Sequence, residues 1–134
     1  MQKILSSILF FSILLNGFNL DIQVTQIDSK KNGDIILNIF NKYTDEFPND
    51  PTYTKVFPAN KKTISYTLRN LSKGEYAVYV IHDENKNSIL DESFFGLFSD
   101  EGYGYSNNYR SFPSFRKSQI NLNSDTNVKI KLIY

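Results

Sequence analysis

From residue 20 onward, apolar and polar side chains alternate with a period of two, the spacing of half-buried strands. Leu20, Ile22 and Val24 stand between polar neighbours. Lys31-Asn32-Gly33-Asp34 is a turn sequence leading into Ile35 to Phe40, an apolar run broken only by Asn38. Ile64, Tyr66 and Leu68 alternate again. Tyr76 to Ile81 is apolar on both faces, which predicts a central strand covered on each side. Ile120 and Leu122 precede the turn Asn123-Ser124-Asp125. Val128, Ile130, Leu132 and Tyr134 then oppose Lys129 and Lys131 in a final strand. Residues 41–62 hold three of the four prolines and read as a long connection, with a short edge strand at Lys55–Phe57. No long helical stripe and no internal repeat is visible. Six or seven short strands in about 115 residues, separated by polar turns, predict an all-β chain. The architecture expected is an immunoglobulin-like or transthyretin-like two-sheet β-sandwich of about seven strands.

The first residues follow a different pattern. Lys3 precedes an apolar run from Ile4 to Leu15, interrupted only by Ser6, Ser7 and Ser12. A bilayer span takes roughly 20 residues, so this run is too short to cross and suits a secretory signal. Residues 1–17 read as a signal peptide cut after Gly17, with Phe18 and Asn19 as alternative sites. The other readings are an uncleaved anchor and a buried N-terminal strand. Residues 18–134 are then a single exported domain, periplasmic or extracellular, with no membrane span after cleavage.

Composition narrows the classes further. The chain has 134 residues with 15 basic and 14 acidic side chains, and losing Lys3 leaves 14 against 14. That balance lacks the basic footprint of a nucleic-acid partner. Cysteine is absent, which excludes disulfides, thiolate metal sites and thiol nucleophiles. Aromatics at 15% favour a packed sheet. Leu71-Ser72-Lys73-Gly74-Glu75-Tyr76, entering the most apolar strand, has the pattern of a tyrosine corner, in which the phenol bonds backbone a few residues upstream. An ordinary hairpin turn with a core Tyr is the alternative.

The chemistry lies just after that strand. Oxygen side chains at Asp83, Asn85, Asn87 and Asp91 occupy positions 1, 3, 5 and 9 of a calcium loop, with the carbonyl of Ile89 at position 7. Alternate spacing lets a tightly turning backbone aim successive side chains inward. Leu90 would anchor the loop to the core. Ser88 stands where the sharp turn usually takes Gly, and Phe94 holds position 12 in place of a bidentate acid, unless Glu92 or Glu101 folds in. An Asx-rich turn without metal is the competing reading.

The run GEYAVYVIHDENKNSILD, then Gly96, then Glu101-Gly102-Tyr103-Gly104-Tyr105-Ser106-Asn107-Asn108, resembles the bacterial exported family catalogued as domain of unknown function 2141. Pro113-Ser114-Phe115 and the final strand Val128–Tyr134 extend the resemblance over most of residues 20–134. The departures are Ser88 for the loop glycine, Phe98 for a proline, Arg116 for an acid, and one extra residue between Gly96 and Glu101. The resemblance implies export and fold; the family has no assigned activity.

Tyr103, Tyr105, Asn107 and Asn108 form a candidate ligand-binding loop, since exposed rings and amides suit carbohydrate or protein. The alternative is a long loop folded over the sandwich end, its rings packed on Phe94, Phe95 and Phe112. His82 is the only histidine, and its neighbour Asp83 points to the other face of a strand. Without Cys, a second His, G-x-S-x-G or a P-loop, the expected function is a non-enzymatic, calcium-stabilised module with a binding or envelope-associated role and an unknown ligand. The alternative is a small hydrolase or isomerase using His82 with Asp83 or Glu101.

Overall fold

The computed structural model describes residues 16–42, 46–93 and 98–134. The signal-type run through Leu15 and the rings of Phe94 and Phe95 lie outside the described residues. Among them, ten strands follow in order: β1 (Phe18–Thr25), β2 (Asp34–Phe40), β3 (Tyr53–Pro58), β4 (Ile64–Leu71), β5 (Gly74–Asp83), β6 (Glu92–Ser93), β7 (Phe98–Ser99), β8 (Gly102–Tyr105), β9 (Ile120–Leu122) and β10 (Thr126–Lys131). One sheet runs β10-β1-β4, with β1 parallel to β10 and antiparallel to β4. The other runs β3-β2-β5-β8, and β9 takes the remaining length of the β5 edge. The fold is a two-sheet β-sandwich. Strands β6 and β7 form a separate small hairpin.

The two-residue period explains which faces meet. Leu20, Ile22 and Val24 of β1 pack against Ile35, Leu37 and Ile39 of β2 and Tyr76, Val78 and Val80 of β5, with Leu68, Ile130 and Leu132 completing the inner core. Strands β2 and β5 are apolar on both faces because a second cluster covers the back of their sheet. Ile36, Phe40, Ala77, Tyr79 and Ile81 lie there under Phe47, Tyr105 and Phe115. Tyr79 and Tyr105 stack at 4.7 Å between ring centroids. The only α-helix among the described residues is the single turn α1 (Phe115–Ser118), capped by Ser114. No helix among them is long and apolar enough to cross a membrane.

Two elements differ from expectation. The edge strand is longer, covering Tyr53–Pro58, because it pairs with nearly the whole of β2. The tract after Glu101 begins as a strand rather than a loop: β8 pairs with β5 from Tyr79 to His82. Its glycines mark a close approach by the C-terminal strand. A Cβ at Gly102 would lie 2.5 Å from the Tyr134 ring, and one at Gly104 would lie 2.8 Å from Ile130.

The tyrosine corner is present. The Tyr76 hydroxyl donates to the Ser72 carbonyl at 2.8 Å, over a turn whose Leu71 is buried. Burial pushes the Tyr76 phenol above its ordinary pKa, and nearby Tyr53 adds to the rise. Tyr76→Phe should therefore destabilise the domain by about 1–3 kcal/mol, since the Ser72 carbonyl loses its donor. A denaturant midpoint unchanged within about 0.5 kcal/mol would mean that water replaces the bond.

Candidate metal centre

Strand β5 ends at Asp83, whose 1% exposed carboxylate turns back on the chain that follows. Its Oδ1 accepts the Asn87 N–H at 3.0 Å and its Oδ2 accepts the Ser88 N–H at 2.8 Å. Asn85 Oδ1 accepts the Asn87 N–H at 3.1 Å, and Asn87 Oδ1 accepts the Ile89 N–H at 3.1 Å. These are Asx-turn bonds, and they wind the backbone tightly without secondary structure. Lys86 and Ser88 sit at φ of +60° and +66°, the left-handed region. Ser88 thus adopts the conformation that a glycine at this position supplies without steric cost.

The far end of the loop closes on the same side chains. Asn87 Nδ2 donates to Asp91 Oδ1 at 3.0 Å and to its Oδ2 at 3.3 Å, and Asn85 Nδ2 also donates to Asp91. The structure therefore brings Asp83, Asn85, Asn87 and Asp91 together around one turn. Ile89, the carbonyl candidate, is an exposed residue of the loop, 60% accessible. Leu90 packs against the outer cluster beneath. Glu84 points away, making a 3.0 Å ion pair with Lys31.

Glu101 folds in from the residue before β8. Its Oε1 accepts the Glu84 N–H at 2.8 Å and its Oε2 accepts the Asp91 N–H at 3.0 Å, with the residue only 4% exposed. One carboxylate thus ties both ends of the loop together. The side-chain oxygens gathered here, with the Ile89 carbonyl, are the donor type that would suit a hard cation. The Asn85 and Asn87 amides present the positive ends of their dipoles to Asp91. Among the described residues no group of three or more acidic or imidazole side chains is placed to hold a metal ion.

His82 stands on the opposite face of β5 and is fully buried. Its Nε2 lies 2.5 Å from the Asn32 carbonyl and its Nδ1 lies 2.6 Å from the Tyr134 hydroxyl. A carbonyl only accepts, so Nε2 carries the proton, and in the neutral ring Nδ1 accepts from Tyr134. The Tyr134 oxygen in turn accepts the Asp28 N–H at 2.8 Å. Every member of this chain has a partner within the protein. Burial pushes the Tyr134 phenol above its ordinary pKa; the Asp28 N–H opposes that shift, while the Asp28 and Glu84 charges add to it. Lys31 lies over the Tyr134 ring at 5.1 Å.

A family model described as "Uncharacterized protein conserved in bacteria (DUF2141)" matches residues 22–131. The chain belongs to this family. The comparisons of this chain with curated proteins and with solved structures found no match.

The DUF2141 span includes both sheets, the Asp83–Asp91 loop and the tract that follows Glu101. In this DUF2141 chain the tract's polar groups are tied to the protein itself. Ser106 Oγ accepts the Val78 N–H at 3.0 Å and donates to the Ser118 carbonyl. Asn107 Nδ2 donates to the carbonyls of Lys117 and Gln119 at 3.2 and 2.9 Å. Asn108 donates to the Lys129 carbonyl at 3.3 Å and accepts the Lys131 N–H at 2.9 Å, so its amide imitates a neighbouring strand. Tyr105 is buried and Tyr103 half-buried. The sequence signal for these roles was the Ser-Asn-Asn run itself, short side chains that bond backbone locally. Nothing in it marked Tyr134 and Asn32 as the partners of His82.

Proposed function

We propose that this chain is an exported, non-enzymatic β-sandwich module stabilised by calcium at Asp83, Asn85, Asn87, Asp91 and the Ile89 carbonyl, with a binding or envelope-associated role. The observation that carries the reading is the convergence of those four oxygen-bearing side chains on one turn whose ends Glu101 holds together. Calcium would neutralise the carboxylates and exploit oxygens already gathered by the fold. Few acids supply the loop, so affinity belongs in the weak range of extracellular modules, a dissociation constant of about 10⁻⁴–10⁻³ M. Export rests on Lys3 and the short apolar run before β1. The non-enzymatic reading is supported by His82, whose two nitrogens are occupied inside the protein.

Millimolar calcium should then stabilise the domain by at most about 1–2 kcal/mol, from the ratio of free ligand to dissociation constant. Thermal melts with calcium and with chelator measure it. Asp83→Ala should abolish the increment. Glu84→Ala should preserve it, since that side chain is turned toward Lys31. Superimposable wild-type melts, with no calorimetric heat at millimolar calcium, would leave the loop as an Asx-rich turn and nothing more.

A further inference from the structure

The sandwich is closed along one side and open along the other. On the closed side, Ile133 and Tyr103 of β8 exchange two backbone hydrogen bonds of 2.9 Å, and Asn108 covers the edge of β10. On the open side, β3 ends one sheet and β4 ends the other, and neither has a further strand among the described residues. A groove of about 530 Å³ runs between these edges, lined by Tyr53, Lys55, Tyr66, Leu68, Arg69 and Leu71 among others. Edge strands present unpaired backbone donors and acceptors, the template onto which another strand adds. Apolar area is available as well, since Tyr53 of β3, which lines the groove, is 41% exposed.

Charge selects the occupant. Lys55 and Arg69 line the groove and no acidic side chain does. Neither cation belongs to the salt bridges found among the described residues, which are Lys31–Glu84 and Lys86–Asp34. The Lys55 ammonium lies 5.8 Å from the centroid of the Tyr66 ring, at the seam itself. By register Lys55 stands opposite Leu37, an inner-core position, so a charge points inward on an edge strand. That arrangement opposes pairing with a second copy, which would bring the same cations to the same edge. It favours a strand of opposite sign.

We propose that the seam between β3 and β4 docks an extended acidic segment of a partner protein by strand addition. The proposal rests on the binding-module reading above and is independent of the calcium loop, so calcium-insensitive melts leave it standing. The probe is a fluorescently labelled eight-residue peptide alternating Glu and Val, followed by anisotropy on the purified chain, beside its Lys/Val counterpart. The acidic peptide should bind, and added salt should weaken it. Lys55→Glu with Arg69→Glu should lower its affinity about tenfold or more and favour the basic peptide instead. Lys55→Gln with Arg69→Gln, checked for an unchanged melt, gives the same reading if the reversal does not fold. N-methylation at alternate peptide nitrogens should abolish binding, because strand addition needs those N–H groups. Failure of the acidic peptide to bind would overturn the proposal. So would binding that survives N-methylation and is matched by heparin, the behaviour of a plain cationic patch.

Discussion

His82→Ala should destabilise the domain by about 3–5 kcal/mol, the range for removing a large buried ring. The ring is fully buried, and its loss also removes the hydrogen-bond partner of the Tyr134 hydroxyl and the Asn32 carbonyl. Chemical denaturation gives the number. Tyr134→Phe should cost less, about 1–2 kcal/mol, because it removes one hydroxyl and keeps the packing. The alkaline limb reports the same network. A phenol whose pKa is raised in the fold stays protonated where the unfolded chain has begun to ionise. The stability it contributes is complete below the ordinary pKa of 10.0 and is lost as pH rises through the folded value. Tyr134→Phe should therefore flatten the fall in stability above that pH. An intact fold in His82→Ala, accompanied by loss of a hydrolytic or isomerising turnover, would return His82 to the role of a base.

Glu101→Ala should cost about 3 kcal/mol, since two backbone N–H groups lose a charged acceptor at a 4% exposed site. The loss should be local before it is global. Amide hydrogen exchange should speed up at Glu84 and Asp91, while Val78 and Val80 in the core keep their protection. Unchanged exchange at both loop ends would mean that the Asx turns alone hold residues 83–91.

Much of this architecture was legible because period-two patterning and burial coincide. Leu20, Ile22 and Val24 each read as inward-facing and each is in the inner core. The doubly apolar run in β5 announced the second cluster behind the sheet. The corner at Leu71–Tyr76 was visible as a pattern, and the Tyr76–Ser72 bond decides between it and an ordinary turn. Strand β8 was not legible. Gly102 and Gly104 have low strand propensity, and the reason for them is the distant C-terminal chain that presses against them. The oxygen spacing in the loop is legible directly, whereas the sequence offers Glu92 and Glu101 alike for the clamp that Glu101 makes. Glu101 stands 17 positions after Glu84, a separation no local pattern encodes.

Asn108 gives the molecule a polarity that neither sheet has alone. Its single carboxamide satisfies a carbonyl and an amide of β10 that would otherwise invite another strand. The three-stranded sheet is thus terminated at one margin by a side chain and left extensible at β4. A strand that lengthens this sheet therefore finds its place beside β4 and not where the Asn108 amide already occupies β10.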